Sequence, residues 1–381
     1  MLRICSNFSQ IKPLNFLHNF QHLLNYATTS ISTSIDASTT QSFTNYLVNS
    51  LGFSNQQALS ISNRANNFKL SPNSQVVVDF FEKQGFDDTQ IRKIVSSYPR
   101  ILCSKVDKTL IPKFKLFQDL GFSGSDLVRV VSLNPKILVH KLTPVIADLR
   151  IILGSDENLV QFFLKSNRYT TSTSLKNLVS NVALLENDYG VCIELIRHNI
   201  LQKQVFFMRN TNFFKKVVIR VAEELRIRPD SGMFLNGIFL LCCYSDESIE
   251  SKRQLFRKFG WSDYHVCELI RRSPISFFPS EGNIGKKLAF FMNELGLDAE
   301  FLASHSALFT YSLEKRVLPR YRVLQVLEEN GLLEYKFYTA VIKSEGRFLE
   351  MFVEPFKDVV PGIHELYQSS KDCSVFGSLS T

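Results

Sequence analysis

The stretch that decides the fold runs from Phe81 to Leu142, because its second half repeats its first half. The first copy opens with F-E-K-Q-G-F at residues 81–86 and closes with P-R-I-L at residues 99–102. The second copy opens with F-Q-D-L-G-F at residues 117–122 and closes with P-K-I-L at residues 135–138. The glycine and the proline are both displaced by 36 residues between the copies (121 − 85 and 135 − 99).

A third copy lies downstream, where Phe259-Gly260-Trp261 is followed by a proline 14 residues after the glycine, the spacing of the first two copies. The repeat is marked by Gly85, Pro99, Pro112, Gly121, Pro135, Gly260, Pro274, Gly296 and Pro319. Repeats of this length are typical of stacked helical units that bury their apolar faces against one another. We therefore predict an all-α fold, a right- or left-handed solenoid or superhelix of two- to three-helix repeats of roughly 30–36 residues.

Each unit carries start and stop signals for two helices. Gly85 follows an apolar helical pattern and suits the left-handed position just past a helix end. Asp87 and Gln90 have the spacing of a capping box that opens the next helix, and Ser123 and Ser262 are N-cap candidates in the other copies. That second helix should stop before Pro99, since a residue preceding proline is pushed out of the α region.

The repeat is less regular between Ala147 and Pro229, where the proline after each second helix is missing. Helices are still expected there from the apolar stripes Ile193, Ile196, Ile200 and Phe213, Val217, Val221. The chain has 33 Phe, 12 Tyr and one Trp, which raises the question of base stacking. Most of these phenylalanines fall on apolar stripes, so we expect them to pack in the core.

Residues 1–35 contain no Asp or Glu but carry Arg3, Lys12 and many hydroxyl side chains. This composition is typical of an organellar transit peptide, with a disordered tail as the alternative. We expect a mitochondrial protein, with the chloroplast as the alternative. Residues 36–74 would form a degenerate first repeat and a joint, residues 75–368 the repeat array with a C-terminal cap, and residues 369–381 a frayed tail.

Composition argues against several other classes of protein. The seven cysteines include no C-x-x-C pair, so neither a zinc site nor a disulfide framework is expected. No apolar run approaches the roughly 18 residues of a membrane span. The pair Gly282 and Gly285 lacks the Lys-Ser/Thr of a phosphate loop, and no metalloprotease motif or nucleophile elbow occurs. We therefore predict a protein that is not an enzyme, does not span a membrane and needs no metal or cofactor. We also expect a monomer.

The quoted motif supports a family resemblance. A G-F/W turn, a second helix, P-x-I-L and a basic stretch ending in L-I-P appear here as Gly85-Phe86, residues 99–102 and residues 110–112. Over residues 40–368 the chain resembles the plant branch of the mitochondrial transcription termination factor family. The resemblance implies an all-α superhelix whose basic concave groove binds nucleic acid. It also implies a role in organellar transcription, transcript processing, intron splicing or ribosome assembly.

Lys and Arg recur at matched positions of successive units, in a chain with a net charge of +8. Arg100 and Lys136 each follow the proline, and Lys93 and Arg129 are also 36 residues apart. The predicted phosphate contacts are Lys93, Arg100, Lys105, Arg129, Lys136, Lys141, Arg271, Arg272, Lys286, Lys287, Lys315, Arg316, Arg320 and Arg322. The alternative is that these charges solvate the outer face of a scaffold for organellar transcription or ribosomal proteins. DNA and RNA both remain possible partners.

Overall fold

The computed structural model describes residues 37–65, 70–140, 142–165, 170–332 and 337–372, which divide into two compact units. Unit 1 contains the described residues up to 82 together with residues 87–104, and unit 2 contains residues 83–86 and the described residues from 105 to 372. The predicted transit peptide lies outside the described residues. The predicted domain boundaries stay predictions.

Unit 1 is a small helical assembly. Its helices are α1 (Ala37–Asn49), α2 (Asn55–Arg64), α3 (Ser74–Lys83), whose last residue belongs to unit 2, and α4 (Asp88–Ser97). Helices α1 and α2 are linked by a buried hydrogen bond of 2.9 Å between the hydroxyls of Thr44 and Ser62. Phe43 and Leu47 of α1 and Ile61 of α2 are buried and form part of the apolar core of this unit.

Unit 2 holds the remaining helices. They are α5 (Ile111–Asp119), α6 (Gly124–Leu133), α7 (Thr143–Leu153), α8 (Asp156–Leu164), α9 (Ser172–Ala183), α10 (Ile193–Phe207), α11 (Thr211–Glu223), α12 (Phe234–Cys243), α13 (Asp246–Lys258), α14 (Asp263–Arg272), α15 (Glu281–Leu288), α16 (Ala299–Ser304), α17 (Leu318–Glu329), α18 (Phe337–Ile342), α19 (Glu345–Phe352) and α20 (Ile363–Asp372). The described residues contain no β-strand, which confirms the predicted all-α class of repeated helical units.

Short helices of other types join these elements. Turns of 3₁₀ helix lie at Pro99–Cys103, Pro135–Leu138, Pro274–Phe277, Ser306–Thr310 and Glu354–Phe356. π-helical turns lie at Val106–Leu110, Leu184–Asp188, Ala289–Glu294 and Leu313–Val317. Each π-turn directly precedes or follows an α-helix, so the first helix of a unit is extended by one wide turn.

The proline turn has the same backbone in every clear copy. The residues before the three prolines have (φ, ψ) of (−147°, 76°) at Tyr98, (−145°, 79°) at Asn134 and (−154°, 84°) at Ser273. A proline excludes the α conformation at the preceding residue, and this is where α4, α6 and α14 end. The predicted capping box of Asp87 with Gln90 is present, and so are the N-caps at Ser123 and Ser262.

The same turn persists in the irregular middle of the chain without its proline. Helix α10 breaks at Lys203, which has φ −141° and ψ 45°. The next residue, Gln204, follows Gly190 by 14 residues, the spacing of glycine to proline in the clear copies. Phe206 and Phe207 are buried, as are Ile137 and Leu138 at the equivalent places after Pro135. The repeat therefore continues where the sequence pattern was lost.

Left-handed residues mark the junctions between helices at intervals of 31 to 36 residues. They are Gly52, Gly85, Gly121, Gly154, Gly190, Arg226, Gly260, Gly296, Gly331 and Gly362. Arg226, with φ +52°, takes the place of a glycine in this series. A side chain at positive φ is strained, so this turn is held by its surroundings rather than by local preference.

Candidate nucleic-acid interface

The structure separates the predicted phosphate contacts by exposure. Lys93, Arg100, Lys105, Arg129, Arg271, Arg272, Lys286 and Lys315 are exposed, Lys136, Arg316 and Arg322 are half-buried, and Lys287 and Arg320 are buried. Lys141 lies outside the described residues. Lys93 and Arg100 belong to unit 1, and the others belong to unit 2.

Charge is distributed unevenly within unit 2. Residues 105–230, here called the basic region, contain 19 Lys and Arg and 12 Asp and Glu, a net charge of +7. Residues 231–372, here called the paired region, contain 17 Lys and Arg and 19 Asp and Glu, a net charge of −2. A polyanion is therefore attracted to the basic region and not to the paired region as a whole.

Several exposed cations of the basic region form no ion pair within the part of the chain that the structure describes. Lys105, Lys108, Lys115 and Arg129 are exposed, and none makes an ion pair within 4.0 Å of a described carboxylate. Asp126 lies one turn before Arg129, and the pKa of its carboxyl is lowered. Hydrogen bonds from Ser123 are the main cause, and the charge of Arg129 is a smaller one. Such cations keep their full charge available to a phosphate oxygen.

Lys113 of α5 and Lys136 of the 3₁₀ turn lie close enough to His140 to disfavour its protonation. Burial, followed by repulsion from Lys136 and then Lys113, lowers the pKa of His140. Burial also lowers the pKa of Lys113. The Nε2 atom of His140 is buried and makes no hydrogen bond with a described residue. A bound anion would relieve the repulsion between these groups and would raise the pKa of His140.

The cation that recurs at one position of the repeat is replaced by an acidic residue in the paired region. Lys93 and Arg129 each stand eight residues after the repeat glycine, and the residue at that place after Gly260 is Glu268. This carboxylate forms ion pairs with both Arg271 and Arg272. The two exposed arginines are therefore partly neutralised by an acidic residue on their own helix.

Lys287 is a structural tie rather than a surface cation. Its side chain is 6% exposed and its Nζ donates a hydrogen bond of 2.6 Å to the backbone oxygen of Phe309. Its position explains this, because Ile284 and Phe291 lie one turn before and one turn after it on the buried face of α15 and the following π-turn. Burial lowers the pKa of Lys287 to about 8. The expectation that Lys287 contacts phosphate is therefore corrected.

Similar ties recur along the chain. In each, a polar side chain on the first helix of a unit donates to a backbone carbonyl at or near the end of the following helix or 3₁₀ turn. The pairs are Asn181 with Phe207, Lys252 with Phe277, and Lys287 with Phe309. These carbonyls lack a helical partner, and a buried unpaired carbonyl is costly. The buried donors thus stabilise the joints of the repeat.

Arg320 performs the same task at the end of the array. It is fully buried, and its Nη1 donates to the backbone oxygens of Ala340, Val341 and Lys343 at 2.9, 3.0 and 2.7 Å. Its Nη2 lies 3.2 Å from the carboxylate of Glu345. Arg320 therefore closes the C-terminal end of α18 and is not accessible to phosphate, which corrects the second of the buried predictions.

Two further arginines that were predicted to contact phosphate form hydrogen bonds with nearby protein groups instead. Arg316 donates to the backbone oxygens of Val341 and Lys343 at 3.0 and 2.5 Å, and burial followed by repulsion from Arg320 lowers its pKa. Arg322 donates to the hydroxyl of Ser370 at 3.2 Å, which links α17 to α20. Both arginines hold together helices α17 to α20, which are here called the C-terminal cap.

Sequence reasoning missed the cations around α11. From Arg209 to Ala222 the chain has four Lys and Arg and no Asp or Glu. Lys215 and Lys216 are exposed, whereas Arg220 pairs with Glu224 and Asp246. The density of positive charge in this stretch is visible in the sequence, although the proline that marks the other repeats is missing here.

The described residues contain no group of three or more His, Cys, Asp or Glu side chains that could hold a metal ion. Within the same residues, no helix combines the length and the apolar character needed to cross a bilayer. Burial raises the pKa of the Cys242 and Cys243 thiols to about 12, so neither forms a reactive thiolate at neutral pH.

Comparison with known proteins agrees with this picture of a helical repeat. A family model described as mTERF matches residues 78–349, which are 272 of the 381 residues. A relative from Arabidopsis thaliana, the mitochondrial transcription termination factor MTEF18, is 33% identical over 86 residues. That alignment covers 22% of this chain and 15% of the relative, so it spans only a small part of the relative's length. On the extent of the family match, the chain belongs to the mTERF family.

Proposed function

We propose that this protein is an organellar nucleic-acid-binding factor that regulates gene expression, in transcription termination or regulation or in transcript processing and splicing. Phosphate contacts from the basic region would supply most of the affinity, and base contacts would supply sequence choice. Membership of the mTERF family and the name of the Arabidopsis relative support an organellar role. The observation that carries the proposal is the excess of exposed cations without ion pairs in the basic region.

The contacts proposed within unit 2 differ in expected weight. Lys105, Lys115 and Arg129 should contribute most, because they are exposed and lack ion pairs with described residues. Lys113 and Lys136, beside His140, add positive charge that would stabilise a phosphate. Arg271, Arg272, Lys286 and Lys315 should contribute less, since they lie in a region whose charges nearly balance. Lys287, Arg316, Arg320 and Arg322 are left out because their side chains hold the fold together.

Two triple substitutions of equal charge test this ranking. One is Lys105→Ala, Lys115→Ala and Arg129→Ala in the basic region; its matched control is Arg271→Ala, Arg272→Ala and Arg347→Ala in the paired region. Each removes three exposed cations from the full chain. We expect the first to weaken binding to any nucleic acid and to lower the slope of log affinity against log salt by roughly 0.7–0.9 per lost contact.

The control triple variant should change the affinity and the salt slope much less, because Glu268 and Glu350 already pair with its three arginines. Circular dichroism should show that both triple variants keep the helical content of the wild type, since surface substitutions usually change stability by no more than about 0.5 kcal/mol. Equal effects of the two variants would mean that only net charge matters, and the assignment of a basic interface would fail.

A second candidate function is a protein-interaction scaffold in organellar ribosome or transcription-complex assembly. The paired region favours it, because its net charge of −2 does not attract nucleic acid and Tyr264 on α14 is 69% exposed. Exposed tyrosines are common anchors in protein interfaces. Wild-type protein that binds no nucleic acid in the experiment above, yet co-purifies with organellar ribosomal or polymerase subunits, would favour this alternative.

We also propose mitochondrial localisation, directed by residues 1–35. The absence of acidic residues and the presence of Arg3 and Lys12 support import into mitochondria, with plastids as the alternative. A fusion of residues 1–35 to a fluorescent reporter should accumulate in mitochondria. A reporter that stays in the cytosol would contradict the proposal, and Arg3→Glu with Lys12→Glu should abolish import.

A further inference from the structure

Phe213 at the start of α11 departs from the pattern of the other phenylalanines. The sequence placed it on the buried stripe with Val217 and Val221, but Phe214 is fully buried in its stead and Phe213 is 37% exposed. It is the only exposed phenylalanine in the part of the chain that the structure describes. The free energy that burial of this ring would contribute is lost, and the residues around the ring determine what it can bind instead.

Those surroundings are cationic. The guanidinium of Arg209 lies over the ring of Phe213, with its central carbon 4.6 Å from the ring centroid. Lys216 is one helical turn after Phe213, and Lys215 is also exposed; neither makes an ion pair with a described carboxylate. Cations beside an accessible aromatic ring are the arrangement with which proteins hold the bases and phosphates of single-stranded nucleic acid.

The ring is held in place by the helix that carries it. The side-chain oxygen of Asn210 accepts hydrogen bonds from the backbone N–H groups of Asn212 and Phe213, at 3.1 and 3.3 Å. The backbone oxygen of Arg209 accepts a hydrogen bond of 2.9 Å from the buried Asn181. Both the ring and the cation over it therefore stand on fixed backbone, which lowers the entropy lost when a base binds.

We propose that Phe213, with Lys215 and Lys216 beside it, is a base-stacking site for single-stranded nucleic acid. This inference rests on the proposed nucleic-acid function and specifies its ligand: an unpaired base stacks on the face of the Phe213 ring opposite Arg209, while the adjoining phosphates contact the two lysines. Double-stranded nucleic acid is disfavoured at this site, because its bases are already stacked on one another and opening them costs a few kcal/mol.

The test compares Phe213→Leu with the wild-type full chain on three probes of one sequence: a short single-stranded RNA, the same strand in DNA, and its DNA duplex. Leucine keeps the apolar contacts of position 213 but removes the π face. We expect Phe213→Leu to lower the affinity for both single strands about tenfold or more, within the range of losses measured when stacking aromatics are replaced. The affinity for the duplex should stay at the wild-type value.

Two further measurements separate stacking from a structural effect. Phe213→Trp should retain single-strand affinity, because it restores an aromatic face. In a single strand that carries the fluorescent base 2-aminopurine, the fluorescence of that base should be quenched by the wild type and by Phe213→Trp but not by Phe213→Leu. The matched control is Tyr264→Leu, which removes an exposed aromatic ring from α14 and should leave all three affinities unchanged.

The possible results distinguish this inference from the proposed function. Wild-type binding to single strands that Phe213→Leu leaves unchanged, or a loss that is the same on the duplex, would overturn the stacking site while the nucleic-acid function stands. Wild type that binds only the duplex would also overturn it. Wild type that binds none of the probes would overturn both proposals.

Discussion

The basic region and the paired region of unit 2 are built from the same repeat but use their cations differently. Among the described residues of the basic region, Arg150, Arg220 and Arg228 form ion pairs. In the paired region seven cations do so: Arg257, Arg271, Arg272, Arg320, Arg347, Lys357 and Lys371. The paired region therefore places more of its cations against its own carboxylates and carries a net charge of −2, whereas the basic region keeps a net charge of +7.

The C-terminal cap shows most clearly how the paired region uses its charges. Glu345 accepts hydrogen bonds from Tyr367, Lys371 and Arg320 at 3.0, 2.6 and 3.2 Å. Burial works to raise the pKa of Glu345, but these donors outweigh it and the pKa is lowered. One carboxylate thereby joins α17, α19 and α20 around an apolar core that includes Phe348. The same residue types that solvate or bind in one region hold helices together in the other.

Replacing Arg320 by Leu should have the largest effect on stability. The change leaves three backbone carbonyls and one bond of Glu345 unsatisfied, so we expect the free energy of unfolding to fall by about 3 kcal/mol, at the lower end of the range for breaking a buried ion pair. The single tryptophan, Trp261, is buried in unit 2, so its fluorescence during urea unfolding reports this change.

The matched control is Arg129→Leu in the basic region. Arg129 is exposed and makes no ion pair with a described residue, so this substitution should change the unfolding free energy by no more than about 0.5 kcal/mol. If Arg320→Leu and Arg129→Leu were equally mild, the cap would not depend on its buried cation. The distinction drawn between the two regions would then fail for stability.

Much of the fold was predictable from the sequence because its signals are local. A glycine past a helix end, a capping box and a residue before proline each restrict backbone angles, and α4 and α6 begin and end where those signals placed them. The break at Lys203 was not predictable in this way. Gln204 imposes no such restriction on its neighbour, so the turn there is held by the burial of Phe206 and Phe207.

The candidate site was less predictable, since it depends on which face of a helix each cation occupies. Lys286 and Lys287 are adjacent in sequence, yet one is exposed and the other buried. Helical phase could have separated them, because Lys287 is three residues after Ile284 and four before Phe291. The carbonyl of Phe309, which receives the Lys287 hydrogen bond, lies 22 residues away and could not be inferred from local pattern.

The dependence of the protein's stability on pH should change when Lys287 is replaced. Burial lowers the pKa of Lys287 from 10.5 to about 8. Between these values the unfolded chain binds more protons than the folded chain, so the free energy of unfolding rises with pH across this window. Lys287→Met should remove this contribution and flatten the rise, measured by urea unfolding at several pH values.

Lys286→Met serves as the control, because Lys286 is exposed and its substitution should leave the wild-type pH dependence intact. Lys252 should preserve part of the rise in every variant, since burial also lowers its pKa to about 8. A wild-type rise that Lys287→Met does not reduce would show that Lys287 is not the buried tie described here.

Replacing Arg226 by Gly should stabilise the protein modestly. Arg226 stands at φ +52° at a junction where the other repeats have glycine. Relief of the left-handed strain, offset by the greater freedom of glycine in the unfolded chain, should raise the unfolding free energy by about 0.5–1 kcal/mol. Urea unfolding would detect this as a higher midpoint with an unchanged slope.

The reverse substitution in the paired region, Gly260→Arg, is the matched control. A Cβ at Gly260 would meet no atom within 4 Å, so a loss of stability there reports the backbone strain at φ +81° and not a clash. Opposite signs for the two substitutions are expected. A loss of stability in Arg226→Gly would mean that contacts of the arginine side chain outweigh the strain of its backbone.

Glu268→Gln should give the smallest effect and the most direct link between the two regions. Glu268 neutralises Arg271 and Arg272, and its side chain is only 13% exposed. Glutamine removes that charge while keeping the size of the side chain, so the two arginines become available to phosphate. Because exposed ion pairs are worth about 0.2–1 kcal/mol, the affinity for a polyanion should rise by a factor of about 1.4 to 5. The control is Glu300→Gln on α16, an exposed residue that makes no ion pair with a described cation and changes the net charge by the same amount. A larger gain in Glu268→Gln than in Glu300→Gln would show that the paired region has the cations for binding and withholds them through its own carboxylates. Equal gains would mean that pairing at Glu268 does not determine which region binds, and only the overall charge would then distinguish the two.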